Sequence, residues 1–154
     1  MINMKIKKLY KDAIIPTRAD NGSAGMDLYA YIDNNTVDIL VADVLVIPPH
    51  KTEMVSVGFA MEIPNGTYGA IFARSGLASK QGLRPANCVG VVDSTYRGEV
   101  FVALHNDSDE IKYIHHKDRI AQMIIMEYPT VEITKTDVLS DTERGANGFG
   151  SSGK

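Results

Sequence analysis

The sequence predicts an all-β chain folded as one compact domain, and three observations carry that expectation. Apolar residues come in runs of roughly five to eight bounded by Gly, Pro, Asn or Asp, the pattern of strands and turns, while helical periodicity is scarce. Residues 53–61 alternate, with Val55, Val57, Phe59 and Met61 on one face and Ser56, Gly58 and Ala60 on the other. The chain has 154 residues, 44% of them hydrophobic, with 13 Gly and 6 Pro, which suits a single core with many turns.

Taken in order, 4–10, 25–31 and 44–47 read as short strands, and 53–61 as a strand with one buried side. Ile63-Pro64-Asn65-Gly66 predicts a hairpin turn, because Asn-Gly tolerates positive φ, and 67–72 is the strand after it. The one helical candidate covers 75–81, with Gly82 as its stop. A strand is expected at 89–92. Residues 100–104 and 120–126 are nearly continuous in apolar side chains, as for strands covered on both faces by a second sheet or another chain. With a last strand at 131–134, the series has the spacing of a sandwich or barrel. Residues 1–140 make the β domain, and 141–154, Gly- and Ser-rich with the single aromatic Phe149, make a tail expected to be mobile.

Composition narrows the function. Lys and Arg total 16 against 19 Asp and Glu, a net charge of −3, so bulk electrostatics does not draw the chain to nucleic acid or an anionic membrane. One thiol, Cys88, makes neither an internal disulfide nor a multi-cysteine metal site, which points to a reducing compartment. Lys5, Lys7 and Lys8 are followed by no apolar signal core, and the most apolar stretch, 37–47, is broken by Asp38 and Asp43. A cytoplasmic protein without a membrane span is expected, with the nucleus open to it in a eukaryotic or viral setting. His115 and His116 are adjacent, point to opposite faces of an extended segment, and read as solvated loop histidines.

Five segments carry chemistry. At Ala73-Arg74-Ser75-Gly76-Leu77-Ala78 a strand gives way to a helix start, which is either a Ser-capped helix beside a surface Arg or an anion site of backbone N–H groups, hydroxyl and guanidinium. From Asn87 through Glu99, two apolar strands flank Asp93-Ser94-Thr95-Tyr96; Asp93 is a turn former or a general base for water, and Tyr96 offers a flat face to a sugar or base. In the tail, Gly148-x-Gly150-x-x-Gly153 mimics a dinucleotide fingerprint without the βαβ context. Arg144, Phe149 and two Ser could instead close over a ligand, or form a disordered tail. Asp27, in Ala24-Gly25-Met26-Asp27-Leu28, reads as a sheet-edge or turn acid, and Asp118 and Arg119 as a structural pair ahead of Gln122, which could reach a ligand.

In this order the five segments resemble the motifs of the homotrimeric dUTP pyrophosphatase (dUTPase) family, and the resemblance spans nearly the whole chain. It implies a jelly-roll-like β fold of the β-clip kind and a homotrimer whose active sites are each assembled from three chains, with the C-terminal tail closing over a neighbour's site. It implies that Arg74, Ser75, Gly76 and Gln122 contact phosphates, that Asn87, Gly90 and the Val91-Val92 backbone bind the nucleoside, and that Tyr96 lies against the deoxyribose. Asp93 would activate the attacking water. Arg144, Ser151 and Ser152 would hold the terminal phosphates, with Phe149 stacked on uracil and Gly150 among the substrate-binding residues.

The implied reaction is Mg²⁺-dependent hydrolysis of dUTP to dUMP and pyrophosphate by water attack on the α-phosphorus, which limits uracil incorporation into DNA and supplies dUMP for dTMP synthesis. No direct protein ligand to Mg²⁺ is expected, Asp27 contacting it through water at most. Uracil offers N3–H as donor and O4 as acceptor, cytosine the reverse, so one carbonyl and one N–H on a strand edge discriminate them. Ala73, Lys117 and Asn147 depart from the usual Pro, Gly and Gly, with Asn147 expected to keep the tail's bend through its tolerance of left-handed backbone. Two other functions compete: a nucleotide-gated regulatory protein, and a dCTP deaminase of the same fold, whose Glu base is replaced here by Asp93 with Tyr96.

Overall fold

The structure is a computed structural model describing residues 3–33, 40–41 and 44–148, with backbone alone at 40 and 41. Its strands are β1 (Lys5–Lys8), β2 (Met26–Tyr29), β3 (Leu40–Val41), β4 (Val44–Ile47), β5 (Thr52–Glu62), β6 (Thr67–Phe72), β7 (Leu83–Pro85), β8 (Gly90–Asp93), β9 (Glu99–Asn106), β10 (Lys112–His115) and β11 (Arg119–Glu127). The helix α1 (Ser75–Gln81) lies between β6 and β7. It stops where expected: Gly82 takes the left-handed conformation (φ 66°) and its N–H bonds to the Leu77 carbonyl.

The strands form three antiparallel sheets, ordered β1-β5-β9-β7, β10-β4-β3 and β2-β11-β6-β8. All three face one core, to which Leu28 (β2), Leu45 and Ile47 (β4), Phe59 (β5), Leu104 (β9) and Met123 (β11) each contribute a side chain no more than 1% exposed. This is the jelly-roll-like, all-β architecture the sequence predicts, with its one short helix. No helix of the described residues is long and apolar enough to cross a membrane.

Several local expectations are corrected. Strand β5 is buried from Val55 through Met61 on both faces, not one, because Tyr10, Ala13 and Tyr31 cover the Ser56–Gly58 side. Gly58 (φ 74°) there marks a register shift between Ser56 and Ala60 in the pairing with β9. The turn at 63–66 forms with Gly66 left-handed (φ 79°), but it is no hairpin: β5 and β6 belong to different sheets, so it is a corner between them. Strand β9 alternates, with Val100, Val102 and Leu104 buried while Phe101 is 39% exposed, so its second face is uncovered in the single chain.

The strand expected at 131–134 does not form. Val131 and Ile133 are 71% and 91% exposed, and a strand needs a neighbour for its backbone groups that this stretch does not find among the described residues. Strands β3 and β7 escape the sequence reading because they span only two and three residues, and β10 because its Lys112-Tyr113-Ile114-His115 holds a single buried side chain. His116 is not a solvated loop residue: its Nε2 meets Asp12 at 2.9 Å, its Nδ1 accepts the Ile32 N–H at 3.2 Å, and its ring stands edge-on to Tyr31 at 5.2 Å. His115 is exposed and faces Asp118.

Candidate active site

Sheet pairing gathers three of the chemistry-bearing segments. Gln122 of β11 stands opposite Asp27 on one side and Phe72 on the other, so β2, the end of β6 and the start of α1 meet around one side chain. Gly25 makes room for it, since a Cβ there would run into Gln122 Oε1 and lie 3.2 Å from Cδ. Gln122 Nε2 in turn donates to the Ala73 carbonyl at 2.9 Å, next to the Arg74 backbone.

Arg74 is the N-cap of α1 (φ −80°, ψ 131°), and no side chain caps the helix. Ser75 is therefore the first helical residue and not the cap, which leaves its hydroxyl free of that duty. Arg74 Nε donates to Asp27 Oδ1 at 2.8 Å, and Arg119 Nη1 donates to Asp27 Oδ2 at 3.2 Å. The expected Asp118–Arg119 pair is thus replaced: Asp118 instead accepts the His115 N–H at 2.8 Å. These residues line a cleft of about 430 Å³ bounded by Gly25, Asp27, Arg74, Ser75, Gly76, Arg119 and Gln122. Two guanidiniums, an amide and a hydroxyl around one carboxylate are a donor set whose chemistry suits an anion with several oxygens.

The second constellation lies at the far edge of the same sheet. Strand β8 pairs only with β6, so its outer edge has no partner strand among the described residues. Asp93 ends that strand, and Tyr96 closes the following turn with its N–H on the Asp93 carbonyl at 3.1 Å. The Tyr96 hydroxyl donates to the Glu99 carbonyl at 2.9 Å. Val91, Val92, Asp93, Tyr96, Phe101 and Met54 border a largely apolar hollow of about 280 Å³. Upstream, Cys88 is left-handed (φ 62°), which turns the chain so that the Asn87 amide nitrogen sits 3.5 Å from where a Cβ on Gly90 would be. The Ile71 Cβ lies 3.2 Å from the same point, so Gly90 is pressed between Asn87 and β6.

The structure therefore brings Arg74, Ser75, Gly76 and Gln122 together with Asp27, and separately brings Val91, Val92, Asp93 and Tyr96 together, with Asn87 and Gly90 beside them. The two hollows share no residue. Arg144 lines neither: it sits in a turn of the tail, Nε donating to the Asn147 carbonyl at 3.1 Å. The left-handed residue of that turn is Gly145 (φ 54°), not Asn147 as expected. Phe149, Gly150, Ser151 and Ser152 lie outside the described residues.

Arg119 is the functional candidate that the sequence hid. On a regular strand residues 119 and 122 face opposite sides, but β11 shifts register between Arg119 and Ala121, and the extra residue turns both side chains to one cleft. The only signal for it was an Asp27 with no counter-charge near it in sequence.

Residues 11–153 match the family model described as dUTPase. The chain is 42% identical to the deoxyuridine 5'-triphosphate nucleotidohydrolase of Orientia tsutsugamushi (strain Boryong), over 99% of each chain. It is 43% identical to the protein of the same description from Desulfitobacterium hafniense, over 99% of this chain and 97% of that one. The fold superimposes on the dUTPase of Staphylococcus bacteriophage 80alpha with dUPNHPP at a TM-score of 0.83, with 27% identity and 99% of each chain covered.

Proposed function

This chain belongs to the dUTPase family, and from that premise we propose how its two hollows hydrolyse dUTP to dUMP and pyrophosphate. The observation that carries the reading is β8. It is a strand whose outer edge has no partner strand among the described residues; it carries Val91 and Val92, ends on Asp93, and turns directly into Tyr96. A base-reading edge, an acid and a sugar-sized aromatic face thus follow one another in a single short run.

Uracil pairs with the backbone N–H and carbonyl that the Val91-Val92 run turns away from β6, with Asn87 and Gly90 completing the nucleoside site. Cytosine, with donor and acceptor exchanged, leaves those groups unpaired and is rejected. Tyr96 lies on the deoxyribose where a 2′-hydroxyl would sit. Asp93 takes the proton of the attacking water as it adds in line to the α-phosphorus, a contribution of roughly 10²- to 10⁴-fold. Arg74, Ser75, Gly76 and Gln122 bind the phosphate oxygens, and the Arg74 charge meets the negative charge that builds up in the transition state.

Mg²⁺ fits this chemistry as a companion of the triphosphate. The hard oxygen donor in the cleft is the Asp27 carboxylate, already bonded to Arg74 and Arg119, so it would help hold the ion through a water and not as a direct ligand. When bound, the ion neutralises phosphate charge.

The working unit is a homotrimer. Because the phosphate cleft and the nucleoside hollow share no residue in one chain, a neighbour's cleft completes each hollow, and Val91, Phe101 and Met54, 61%, 39% and 55% exposed, are covered in the assembly. Residues 1–140 form the trimer's β body. The tail, 141–154, closes over a neighbour's site, with Arg144, Ser151 and Ser152 on the terminal phosphates, Phe149 on the base, and Gly150 among the substrate-binding residues. The protein acts in the cytoplasm on free nucleotide, limiting uracil in DNA and supplying dUMP, without binding nucleic acid or membrane.

Pyrophosphate release measured over dUTP, dCTP, dTTP and UTP with Mg²⁺ tests the substrate and reaction together. Turnover of dUTP alone is expected. Ammonia release from dCTP would replace this reading with deamination.

A further inference from the structure

We propose that Gly98 is a positioning residue that sets the sugar discrimination of the site, by leaving the space in which the Tyr96 ring lies; this rests on the reading that Tyr96 packs on the deoxyribose. A Cβ built on Gly98 would run into Tyr96 Oη and stand 2.6 Å from Cζ and 3.0 Å from Cε2. Gly98 is not among the left-handed glycines, so its backbone admits an L residue. What glycine supplies here is room for the ring and not conformational freedom.

The rest of the turn explains why so much depends on that room. The main chain around Tyr96 is held three times, by the Tyr96 N–H on the Asp93 carbonyl at 3.1 Å and by Arg97 Nη1 on the carbonyls of Ser94 and Tyr96 at 2.6 and 2.8 Å. The ring itself is 46% exposed. Its hydroxyl is tethered to the Glu99 carbonyl at 2.9 Å, which folds the ring back across the 98–99 backbone and over the bare Cα of Gly98. A methyl group at 98 therefore evicts the ring and little else. The half-exposed ring swings toward solvent at small cost in stability, and the space against the 2′ position opens.

The experiment uses the full chain and reads the ratio of kcat/KM for dUTP to that for UTP in Gly98→Ala, Tyr96→Ala, Tyr96→Phe and the Gly98→Ala/Tyr96→Ala double variant. Gly98→Ala is expected to lower the ratio by about tenfold, the scale of discrimination a pocket exerts over a single small group. Tyr96→Ala should lower it at least as far, and the double variant should match Tyr96→Ala, because the methyl group has nothing left to displace. Tyr96→Phe, which loses the tether but keeps the ring, should fall between them and the parent.

A parent-like ratio in Gly98→Ala while Tyr96→Ala relaxes it would overturn the role of Gly98. So would effects that multiply in the double variant, or a Gly98→Ala chain that fails to fold, since the ring must give way easily. A parent-like ratio in Tyr96→Ala would instead remove Tyr96 from the sugar and take the proposal with it.

Discussion

Arg74 Nε donates to Asp27 Oδ1 across 2.8 Å, while the other oxygen of the same carboxylate receives Arg119 at 3.2 Å. One acid on an edge strand thus holds two guanidiniums that arrive from a helix start and from a bulged strand. The Asp27 side chain is only 14% exposed, so solvent screens this arrangement weakly. Asp27→Asn keeps the shape and removes the charge. It should lower kcat/KM for dUTP by about 10²-fold through a misplaced Arg74, and stability by about 1–3 kcal/mol through weakened charge-assisted bonds. Steady-state pyrophosphate release and a thermal melt check both; parent-like kinetics with a lowered Tm would confine Asp27 to structure.

Asp93 differs in having no such scaffold duty. It is exposed at the end of β8, and its carbonyl, not its carboxylate, makes the turn bond to Tyr96. Asp93→Asn should therefore leave folding, assembly and affinity for a non-hydrolysable dUTP analogue unchanged and reduce kcat by roughly 10²- to 10⁴-fold. Calorimetric titration beside single-turnover hydrolysis separates the two, and near-normal turnover would remove Asp93 as the base.

The contrast between these two acids also shows what the sequence could and could not disclose. The grouping of Asp93 with Val91, Val92 and Tyr96 around one hollow was legible because they are chain neighbours, and α1 was legible because Gly82 stops it locally. The role of Asp27 was not, since Arg74 and Arg119 lie 47 and 92 residues away and the second reaches it only through a bulge. Asp118 and Arg119, adjacent in sequence, looked like each other's partners for the same reason. The two-sided burial of β5 escaped likewise, because the cover over Gly58 comes from Tyr10, Ala13 and Tyr31 on segments of no regular structure. At 131–134 the run of Val131, Ile133 and Thr134 suggests a strand, yet a strand also needs a pairing partner that the local sequence does not name, and none is found among the described residues.

Gly58 makes the packing claim testable. It is left-handed at φ 74°, and a Cβ there would stand 2.6 Å from the Ala13 Cβ and 3.0 Å from the Tyr31 Cβ, both buried. Gly58→Ala combines left-handed strain of about 1–2 kcal/mol with overpacking of about 1–3 kcal/mol, so a loss of roughly 3 kcal/mol is expected by urea titration. A loss below about 1 kcal/mol would mean that the N-terminal segment shifts freely off β5.

Lys117 presents the opposite opportunity. It holds φ 71° where the resembling family often has Gly, and its Nζ lies 3.7 Å from Asp12 with both side chains about half exposed. An exposed pair of that length contributes close to nothing, whereas relief of left-handed strain amounts to about 1 kcal/mol. Lys117→Gly should therefore raise Tm by roughly 2–4 °C. A lowered Tm would show that the Asp12 contact outweighs the backbone term.

The cover over β5 should also announce itself in alkali. Tyr31 is buried, stacked on Tyr10 with ring centroids 4.1 Å apart, and its hydroxyl donates to Asp33 at 3.3 Å. Burial first, and then the Asp33 charge, push its phenol from the ordinary 10.0 up to about 12. Between about pH 10 and 12 the unfolded chain loses this proton while the folded chain keeps it, so the stabilisation present below pH 10 drains away across that window. Urea midpoints should fall steadily over the range. Tyr31→Phe keeps the stack and removes the proton, so its midpoints should fall less steeply; some slope remains, because burial and Glu99 raise Tyr10 in the same direction. Equal slopes in parent and variant would show that the Tyr31 hydroxyl reaches water in the folded chain, and that the segment over Gly58 lies more open than its stacking geometry requires.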